Sequence, residues 1–300
     1  MYDMFSIVIP TYNRANIIGR ALESVLGQEV SDLEIIVVDD FSQDNTEEVI
    51  LKRYPQVRYY KLRSNMGPGM ARNKGIREAT RKWVVLLDDD DQLLTGALQQ
   101  VASAINSFSK AERYPVLQFA HGNAHVPTNF MIATIDAYIN NVIEGDFVSV
   151  IQKEMFLKND FAYPNASIGA EHLLWWKIAD EYGIPTWNYK IAKLNTDASD
   201  RLTDVKQQIK KAKEHAQAQD LTLSLFGEIL KHYAPQLYLK KQLGAAIYWL
   251  LAGERTLARK RLNDGIKKHN RIIFLLVWLL SYMPRKIIQF CFVYYRRLTL

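Results

Sequence analysis

Residues 83–91 read Trp-Val-Val-Leu-Leu-Asp-Asp-Asp-Asp, an apolar run that ends in four consecutive carboxylates. The apolar run predicts a strand buried on both faces, as in a parallel sheet covered by helices. Four adjacent carboxylates repel one another, so their charge has to be offset. A divalent cation would offset it, and the alternative is a solvated loop or the acidic first turn of a helix starting at Gln92. Because ligands of open α/β sheets bind at the carboxyl ends of strands, this position favours a metal site.

Apolar runs on both sides of this stretch predict further strands. Working outward, strands are predicted at residues 5–10, 33–39, 57–62, 116–120 and 186–194. Helical spacing of apolar residues separates them, at residues 15–26, 44–53, 68–80 and 169–182. Alternating strands and helices predict an α/β fold, with a mostly parallel sheet covered by helices on both faces.

The charge of the chain divides it into two unlike parts. The 300 residues carry a formal net charge of +6, yet the first 200 contain 19 Lys and Arg against 26 Asp and Glu. The last 100 contain 19 against 6. This split argues against a nucleic-acid binder, which would be basic throughout. The single cysteine, Cys291, excludes an intramolecular disulfide and fits a reducing compartment.

The C-terminal third is predicted to be helical, at residues 204–218, 221–233, 237–252 and 254–270. Two short apolar runs follow, at residues 272–282 and 287–295, with Lys and Arg around them. Each is shorter than the roughly 20 residues that span a bilayer, so we expect an interfacial tail on a membrane surface. The alternative is a helix pair buried in the domain or in a dimer. Residues 1–10 have no basic segment before an apolar one, so a signal peptide is not expected there.

Polar residues follow the other predicted strands as well. Thr11, Tyr12 and Arg14 come after the first strand, where Tyr12 could lie against an aromatic base. Asp39 ends the second strand and could accept hydrogen bonds from a base or a ribose. The neighbouring Asp40 could hold the turn instead, and Asp44 is expected to cap the next helix.

A glycine-rich segment, residues 65–75, precedes the fourth strand with the sequence Asn-Met-Gly-Pro-Gly-Met-Ala-Arg-Asn-Lys-Gly. Its glycines permit a tight helix entrance and a close approach of the backbone. Arg72 and Lys74, one turn inside the helix, could face a phosphate or a base. The spacing matches neither a dinucleotide-binding fingerprint nor a phosphate-binding P-loop.

Taken together, four of these segments resemble the nucleotide-sugar half of a family 2 glycosyltransferase. They are residues 6–14, 38–46, 65–75 and 87–91, in that order. The resemblance covers residues 4–205 and is firmest up to about residue 95. It implies the GT-A fold, a Rossmann-like, mostly parallel sheet, followed here by an α-helical extension. The implied domains are 1–203 (a nucleotide-sugar half, 1–95, and an acceptor half, 96–203), a helical extension, 204–270, and an amphipathic membrane-associating tail, 271–300.

The resemblance also implies an inverting transfer from a nucleotide-diphosphate sugar, with uridine as the family default, and it assigns donor contacts. Thr11, Tyr12 and Arg14 would contact the nucleoside, Asp39 the base, and Arg72 the base or the diphosphate. Asp88 and Asp90 match the outer members of the family's Asp-x-Asp signature, which holds the donor and its Mn²⁺ or Mg²⁺. The middle residue, Asp89, is placed with the donor contacts and is not expected to bind the metal.

Two residues compete for the role of catalytic base. Relatives in the family often supply the base from a Glu-Asp pair at the start of a helix, and the matching residues here are Glu171 and His172. Glu171 is favoured because anionic bases dominate this chemistry. A histidine with a pKa of about 6.5 is also chemically able to act. Alternatively, Glu171 only stabilises the helix dipole from the first turn.

Further site residues are expected after the base. Family members often place a third metal ligand in a flexible segment that corresponds to residues 195–203. Asn195 and Asp197 stand there as possible contacts to the metal or diphosphate, and Arg201 could bind phosphate. Trp175 and Trp176 could flank an acceptor sugar, although core packing is the commoner role for one of two adjacent tryptophans.

These inferences lead to one main functional hypothesis and two alternatives. The main one is a glycosyltransferase on the cytoplasmic face of a bacterial membrane, acting on a glycan or glycolipid acceptor of polysaccharide synthesis, with no nucleic-acid partner and with a homo-oligomer left open. One alternative is a non-catalytic nucleotide- or glycan-binding scaffold, suggested by His172 in place of an aspartate. The other, nucleotidyl transfer, lacks the expected opening loop rich in glycine and lysine.

Overall fold

A computed structural model of the chain describes residues 5–30, 32–165, 170–195, 205–269 and 272–299. The chain forms two compact units. The first consists of residues 1–167 and 171–198, and the second of residues 168–170 and 199–300. The candidate site residues of the nucleotide-sugar half all belong to the first unit.

A mixed sheet of eight strands forms the centre of the first unit. Together with a separate two-stranded pair, the described strands in chain order are β1 Phe5–Thr11, β2 Glu34–Asp39, β3 Arg58–Lys61, β4 Trp83–Leu86, β5 Gln92–Leu93, β6 Val116–Ala120, β7 Phe130–Ala133, β8 Phe147–Gln152, β9 Ile184–Trp187 and β10 Ala192–Lys193. The order across the sheet is β3-β2-β1-β4-β8-β6-β9-β7, while β5 and β10 form a separate pair.

Most neighbouring strands of the sheet run parallel. β3, β2, β1 and β4 are parallel, and so are β6 and β9. β8 lies antiparallel between β4 and β6, and β7 lies antiparallel at the edge beside β9. Because β8 is antiparallel to both of its neighbours, β6 points in the same direction as β4. The carboxyl ends of β1, β2, β4 and β6 therefore share one edge of the sheet, which confirms the predicted α/β fold class.

Helices cover both faces of this sheet. They are α1 Ile18–Leu26, α2 Thr46–Arg53, α3 Pro68–Glu78, α4 Ala97–Ser107, α5 Ile135–Ile139, α6 Lys153–Lys158 and α7 Glu171–Glu181. On one face, β1 residues such as Ile7 pack with buried residues of α1 and α4. On the other, Val8 packs with buried residues of α3, α6 and α7. Alternate residues of one strand thus enter two different cores, as expected for a strand buried on both sides.

The prediction of a helix from Gln92 is wrong. Gln92 and Leu93 form β5, which pairs antiparallel with β10, and α4 begins only at Ala97. The Leu93 side chain is buried in the core, and its backbone N–H donates to Ser24 Oγ at 3.0 Å. The strand predicted at residues 186–194 is likewise two strands, β9 and β10. These long-range contacts override the local sequence pattern.

Helices make up the second unit as the structure describes it. They are α8 Val205–Lys210, α9 Ala212–Tyr233, α10 Pro235–Ala252, α11 Arg255–His269, α12 Ile272–Leu280 and α13 Arg285–Thr299. The predicted break near residue 220 is wrong, because α9 runs through it. The Asp220 carboxylate accepts a hydrogen bond from Trp249 Nε1 at 3.0 Å and lies 2.9 Å from Arg261, so its side chain is tied to other helices. No helix in the described ranges is long and apolar enough to cross a membrane.

Gly75 explains how closely α3 approaches the sheet. A Cβ built on Gly75 would lie 2.3 Å from Val8 Cγ1, and Val8 is fully buried in β1. We expect Gly75→Ala to lower the free energy of unfolding by about 1–3 kcal/mol, because overpacking forces the backbone to shift. Urea denaturation measures this change.

The matched control for this prediction is Gly227→Ala in α9. A Cβ on Gly227 meets nothing closer than 3.8 Å, and the exchange favours the helix. Equal stability of the two variants would contradict the close approach of α3 to β1.

Candidate active site

Asp39 lies buried at the carboxyl end of β2, with both of its oxygens engaged by the chain. Oδ1 accepts the Ser42 backbone N–H at 2.6 Å, and Oδ2 accepts the Tyr59 hydroxyl at 2.5 Å. Burial, and then the hydrogen bond and charge of Asp39, raise the pKa of Tyr59 far above its ordinary value. In the described structure Asp39 therefore organises the turn after β2, and its contact with a base stays a prediction.

The neighbouring carboxylates hold loops together. The two oxygens of Asp40 accept the backbone N–H groups of Met66 and Gly67, both at 2.7 Å. Gly67 has a φ of +91°, a conformation that L side chains rarely adopt, and it directly precedes α3. Asp44 accepts the backbone N–H groups of Ala15 and Thr46, the first residue of α2. Asp40 and Asp44 thus fix the entrances of the helices that follow the strand ends.

Asp89 turns toward the end of β1. Thr11 Oγ1 donates to Asp89 Oδ2 at 2.7 Å, and Arg14 Nε lies 3.7 Å from Oδ1. Burial raises the pKa of Asp89 to about 7, and its carboxylate neighbours Asp90 and Asp88 add to that rise against the opposing effects of Thr11 and Arg14. This places Asp89 with two of the predicted donor contacts, whereas the third, Tyr12, is 41% exposed beside them.

The raised pKa of Asp89 predicts a pH-dependent stability. An unfolded aspartate ionises near pH 3.8, whereas folded Asp89 keeps its proton up to about pH 7, so ionisation favours unfolding as the pH rises between these values. With metal removed by EDTA, we expect Asp89→Asn to stabilise the protein at pH 8 by roughly 1–3 kcal/mol and to have little effect at pH 4. Urea denaturation at both pH values measures the difference.

Asp44→Asn is the control with the opposite sign. Burial tends to raise the pKa of Asp44, but the hydrogen bonds from Thr46 and Ala15 outweigh it and lower the pKa. Loss of this carboxylate should therefore destabilise the protein at pH 8 and matter less as the pH falls below the ordinary value. A pH-independent effect of Asp89→Asn would rule out the buried, protonated carboxyl.

Arg72 joins the acidic loop, residues 88–91, to the start of α7. Its Nη2 donates to Asp88 Oδ1 at 2.5 Å, and its Nη1 donates to Glu171 Oε1 at 2.6 Å. The Arg72 side chain is only 9% exposed and its guanidinium lies 5.4 Å from the centre of the Tyr163 ring, whereas the two carboxylates are about half exposed. Burial alone would raise the pKa of Asp88, but the charge and hydrogen bond of Arg72 hold it below its ordinary value.

This arrangement brings together three residues that the sequence analysis treated separately. Asp88 was predicted on the donor side and Glu171 on the acceptor side, and 83 positions separate them in the chain. Their pairing through one guanidinium fixes both carboxylates with an arginine fork, which is more rigid than two separate ion pairs. We name these three residues the Arg72 bridge.

His121 lies beside the acidic loop, although the sequence analysis assigned it no role. It follows β6, is 3% exposed, and its Nε2 lies 3.0 Å from Asp91 Oδ2. Burial tends to lower the pKa of His121, but Asp91 and then more distant carboxylates raise it above the ordinary value. The rule that ligands lie at the carboxyl ends of strands could have identified His121, because the strand before it was predicted.

Asn195, which lies two residues after β10, contacts the acidic loop. Its Nδ2 donates to the Asp90 backbone oxygen at 2.9 Å, and Arg20 Nη2 donates to the same oxygen at 3.2 Å. Asn195 therefore lies next to the predicted metal ligand, through a backbone contact. The other two residues predicted in this segment, Asp197 and Arg201, lie outside the described residues.

The aromatic residues of α7 have different surroundings. Trp176 is 7% exposed and its ring meets His172 edge to face at 4.8 Å. Trp175 is half-buried and meets Tyr163, the ring over which Arg72 lies, at 5.5 Å. Trp176 thus packs in the interior, while Trp175 is the tryptophan nearer to the Arg72 bridge.

The acidic loop fits a divalent cation that a substrate helps to bind. Among the residues that the structure describes, no three His, Cys, Asp or Glu side chains surround one metal position. Burial and repulsion from Asp88 and Asp91 raise the pKa of Asp90, so a nearby positive charge would stabilise its carboxylate. Mg²⁺ and similar ions often bind one or two carboxylates and complete their shell with water and substrate phosphates. Asp90 and Asp88 Oδ2, the oxygen that Arg72 does not contact, suit that arrangement.

Comparison with known proteins agrees with this geometry. Residues 6–111 match the family model described as glycosyl transferase family 2. A "GalNAc(5)-diNAcBac-PP-undecaprenol beta-1,3-glucosyltransferase" of Campylobacter jejuni is 39% identical over 34% of this chain and 34% of its own length. The succinoglycan biosynthesis protein ExoO of Rhizobium meliloti is 41% identical over 32% of this chain and 28% of its own length. The chain thus covers about a third of the length of these relatives.

Solved structures share the fold over nearly the whole chain. Staphylococcus aureus TarS 1-349 in complex with UDP-GlcNAc has a TM-score of 0.57 at 17% identity, over 93% of this chain and 79% of that one. The mannosyltransferase PcManGT of Pyrobaculum calidifontis, in complex with GDP-Man and Mn²⁺, has a TM-score of 0.54 at 16% identity, over 98% and 88%. The strand-end motifs, the fold and the matched segment agree in one similarity: residues 6–111 of this chain are similar to the family model described as glycosyl transferase family 2.

Proposed function

We propose that the protein transfers a sugar from a nucleotide-diphosphate sugar to a hydroxyl group of a lipid-linked or surface polysaccharide, with inversion at the anomeric carbon. The Arg72 bridge is the observation that carries this proposal. In this bridge the Arg72 guanidinium contacts both Glu171, the candidate base, and Asp88 of the donor motif. The names of the Campylobacter and Rhizobium relatives support the acceptor class, and the UDP-GlcNAc complex of TarS supports a uridine donor.

Glu171 acts as the base in this proposal. The acceptor oxygen attacks the anomeric carbon on the face opposite the nucleotide and forms the new C–O bond. The old bond from that carbon to the diphosphate oxygen breaks, and its electron pair leaves with the diphosphate. The acceptor proton passes to Glu171 Oε2, while Oε1 stays on Arg72. Arg72 thus orients the carboxylate during the proton transfer.

The donor is held by residues of the shared strand-end edge. Thr11 and Arg14, both joined to Asp89, line the nucleoside side, and the exposed ring of Tyr12 is free to stack on the base. Asp90 and Asp88 would hold Mn²⁺ or Mg²⁺ together with the diphosphate. When bound, the cation neutralises the charge that develops on the leaving diphosphate.

Donor binding offers a direct test of the proposal. In a thermal-shift screen of nucleotide-sugars with Mn²⁺, we expect one donor class to raise the melting temperature, because a ligand that binds only the folded state stabilises it by mass action. Asp90→Asn should lose this metal-dependent shift, whereas Asp136→Asn, an exposed aspartate of α5, should keep it. If no nucleotide-sugar is bound or turned over with Mn²⁺, the enzyme proposal fails.

A scaffold that binds the donor without turnover is the second candidate. His172, which stands at the position of the expected aspartate, favours it. A protein that binds a nucleotide-sugar with Mn²⁺ but transfers no sugar to water or to any glycan would support the scaffold. Measurable turnover that depends on Glu171 would reject it.

The place of action follows from the acceptor class. A lipid-linked acceptor and a cytoplasmic nucleotide-sugar meet at the inner face of a bacterial membrane, so we place the protein there as a peripheral protein. A homo-oligomer is compatible with this location.

A further inference from the structure

The last two helices expose an unusual amount of apolar surface. α12 is apolar at every position, and residues at helical spacing along it are exposed. Phe290 and Tyr294 are exposed one turn apart on α13. The most exposed are Ile272, the first residue of α12, at 75% and Phe290 at 71%. We call these residues the tail stripe: Ile272, Leu275, Leu276, Leu279, Phe290 and Tyr294.

Other residues of the same helices are buried. Phe274 and Val277 of α12 and Ile288 and Phe292 of α13 are 8% exposed or less. Each helix is therefore anchored to its own unit on one side, and the tail stripe is a second apolar side. Large exposed apolar surfaces are rare on monomeric soluble proteins, and those that occur mark interaction sites.

Three arginines surround the turn between the two helices, residues 281–284: Arg255 and Arg259 come from α11, and Arg285 begins α13. We call this turn, with the three arginines, the arginine-rich turn. Arg259 Nε donates to Ser281 Oγ at 3.0 Å, and its guanidinium lies 4.0 Å from the centre of the Tyr282 ring. Arg255 donates to the Met283 backbone oxygen at 2.8 Å, and Arg285 donates to that of Leu251 at 2.9 Å. In the described part of the chain these three guanidinium groups bind neutral oxygens and no carboxylate. Among those described residues, no carboxylate pairs with these positive charges, so an anionic partner can do so.

The sequence around the tail stripe is strongly cationic. Residues 254–300 contain 11 Lys and Arg against 2 acidic residues. A second copy of this surface would bring like charges together, whereas anionic lipid offers acyl chains for the stripe and phosphates for the arginines. Neither helix is long enough to span a bilayer.

We infer that the tail stripe and the arginine-rich turn dock the second unit onto an anionic lipid surface, with the helices in the interface. This docking would account for the membrane location proposed above, and all the residues that produce it belong to the second unit. The surface recognises acyl chains together with lipid phosphate groups. Docking of this kind would hold the protein where a lipid-linked acceptor is found.

Vesicle flotation of the full chain, without any sugar donor, tests this inference. We expect binding to vesicles of phosphatidylglycerol and phosphatidylethanolamine, and weak binding to vesicles of phosphatidylcholine. Leu276→Glu and Phe290→Glu should each lower the partition coefficient about 10-fold or more, because they place a charge in the stripe. Lys286 is exposed beside Arg285 at the start of α13. Lys286→Glu should lower the partition coefficient roughly 5-fold or more, with the remaining binding less sensitive to salt.

Leu225→Glu is the matched control, because Leu225 lies on α9 and is 60% exposed outside the stripe. It should bind vesicles as the unchanged protein does. Circular dichroism and the donor-induced thermal shift of all variants show whether they fold, and they separate failure of this inference from failure of the enzyme proposal. Free phosphate that displaces the protein from vesicles at millimolar concentration would show that the turn binds phosphate alone.

Two outcomes would overturn the inference. One is equal vesicle binding by the unchanged protein, Leu276→Glu and Phe290→Glu. The other is an oligomer in analytical ultracentrifugation that Leu276→Glu dissociates, with no vesicle binding by the unchanged protein. The second outcome would assign the stripe to contacts between copies of the chain.

Discussion

Glu171→Gln should lower kcat by about 10²–10⁴-fold, because the amide cannot take the proton of the acceptor hydroxyl. Glutamine keeps an oxygen that can accept the Arg72 hydrogen bond, now seen at 2.6 Å, so the start of α7 should remain in place. The KM for the nucleotide-sugar should change little, since Glu171 faces the acceptor in this proposal. Steady-state kinetics with the donor identified by thermal shift measures both constants.

Two companion variants sharpen this test. Glu181→Gln removes an exposed carboxylate from the other end of α7 and should leave kcat unchanged. His172→Gln should lower kcat less than 10-fold, because the His172 ring packs against Trp176 instead of taking the proton. If His172→Gln abolishes turnover and Glu171→Gln does not, the histidine is the base and the proposed proton transfer is wrong.

The position of the donor motifs could be predicted from the sequence for a simple physical reason. Thr11, Asp39 and the carboxylates from Asp88 onward each follow an apolar run with the composition of a buried strand. Parallel strands end at the same edge of a sheet, so polar residues far apart in the chain must meet there. Local composition and a general rule of sheet topology were sufficient for this part of the site.

The contacts inside the site depend on information that local patterns do not contain. The Arg72 bridge joins α3 to α7 across 99 positions, and β8 enters the sheet between β4 and β6 although it comes later in the chain than both. Leu93 belongs to a strand because its partners lie near residue 192, and its own neighbours in sequence favour a helix. Pairings of this kind are set by packing of the whole domain, which outweighs local propensity.

The acidic loop also shows that four adjacent aspartates need not share one role. Asp88 is paired with Arg72, Asp89 with Thr11 and Arg14, and Asp91 with His121. Asp90 is the one of the four whose carboxylate has no such partner within the described contacts, and its pKa is raised by burial and by its acidic neighbours. Separate partners therefore engage three of the four side chains, which leaves Asp90 as the carboxylate best suited to a cation.

Arg72→Lys should lower kcat/KM by roughly 10²–10³-fold, although it conserves the charge. A lysine ammonium is a compact charge at the end of a flexible chain, and it cannot reproduce the planar fork that reaches Asp88 and Glu171 at once, at 2.5 and 2.6 Å. We expect a reduced response to Mn²⁺ through Asp88 and a lower kcat through Glu171. Titration of turnover with Mn²⁺ separates the two effects.

A double-mutant cycle then decides whether Arg72 acts through the base. If it positions Glu171, the variant with both Arg72→Lys and Glu171→Gln should have the kcat of Glu171→Gln alone, because the second change has nothing left to disturb. Arg53→Lys, which alters an exposed pair with Glu23 at 3.3 Å, should leave both constants unchanged. Additive losses in the double variant would show that Arg72 and Glu171 contribute independently, and that Arg72 does not orient the base.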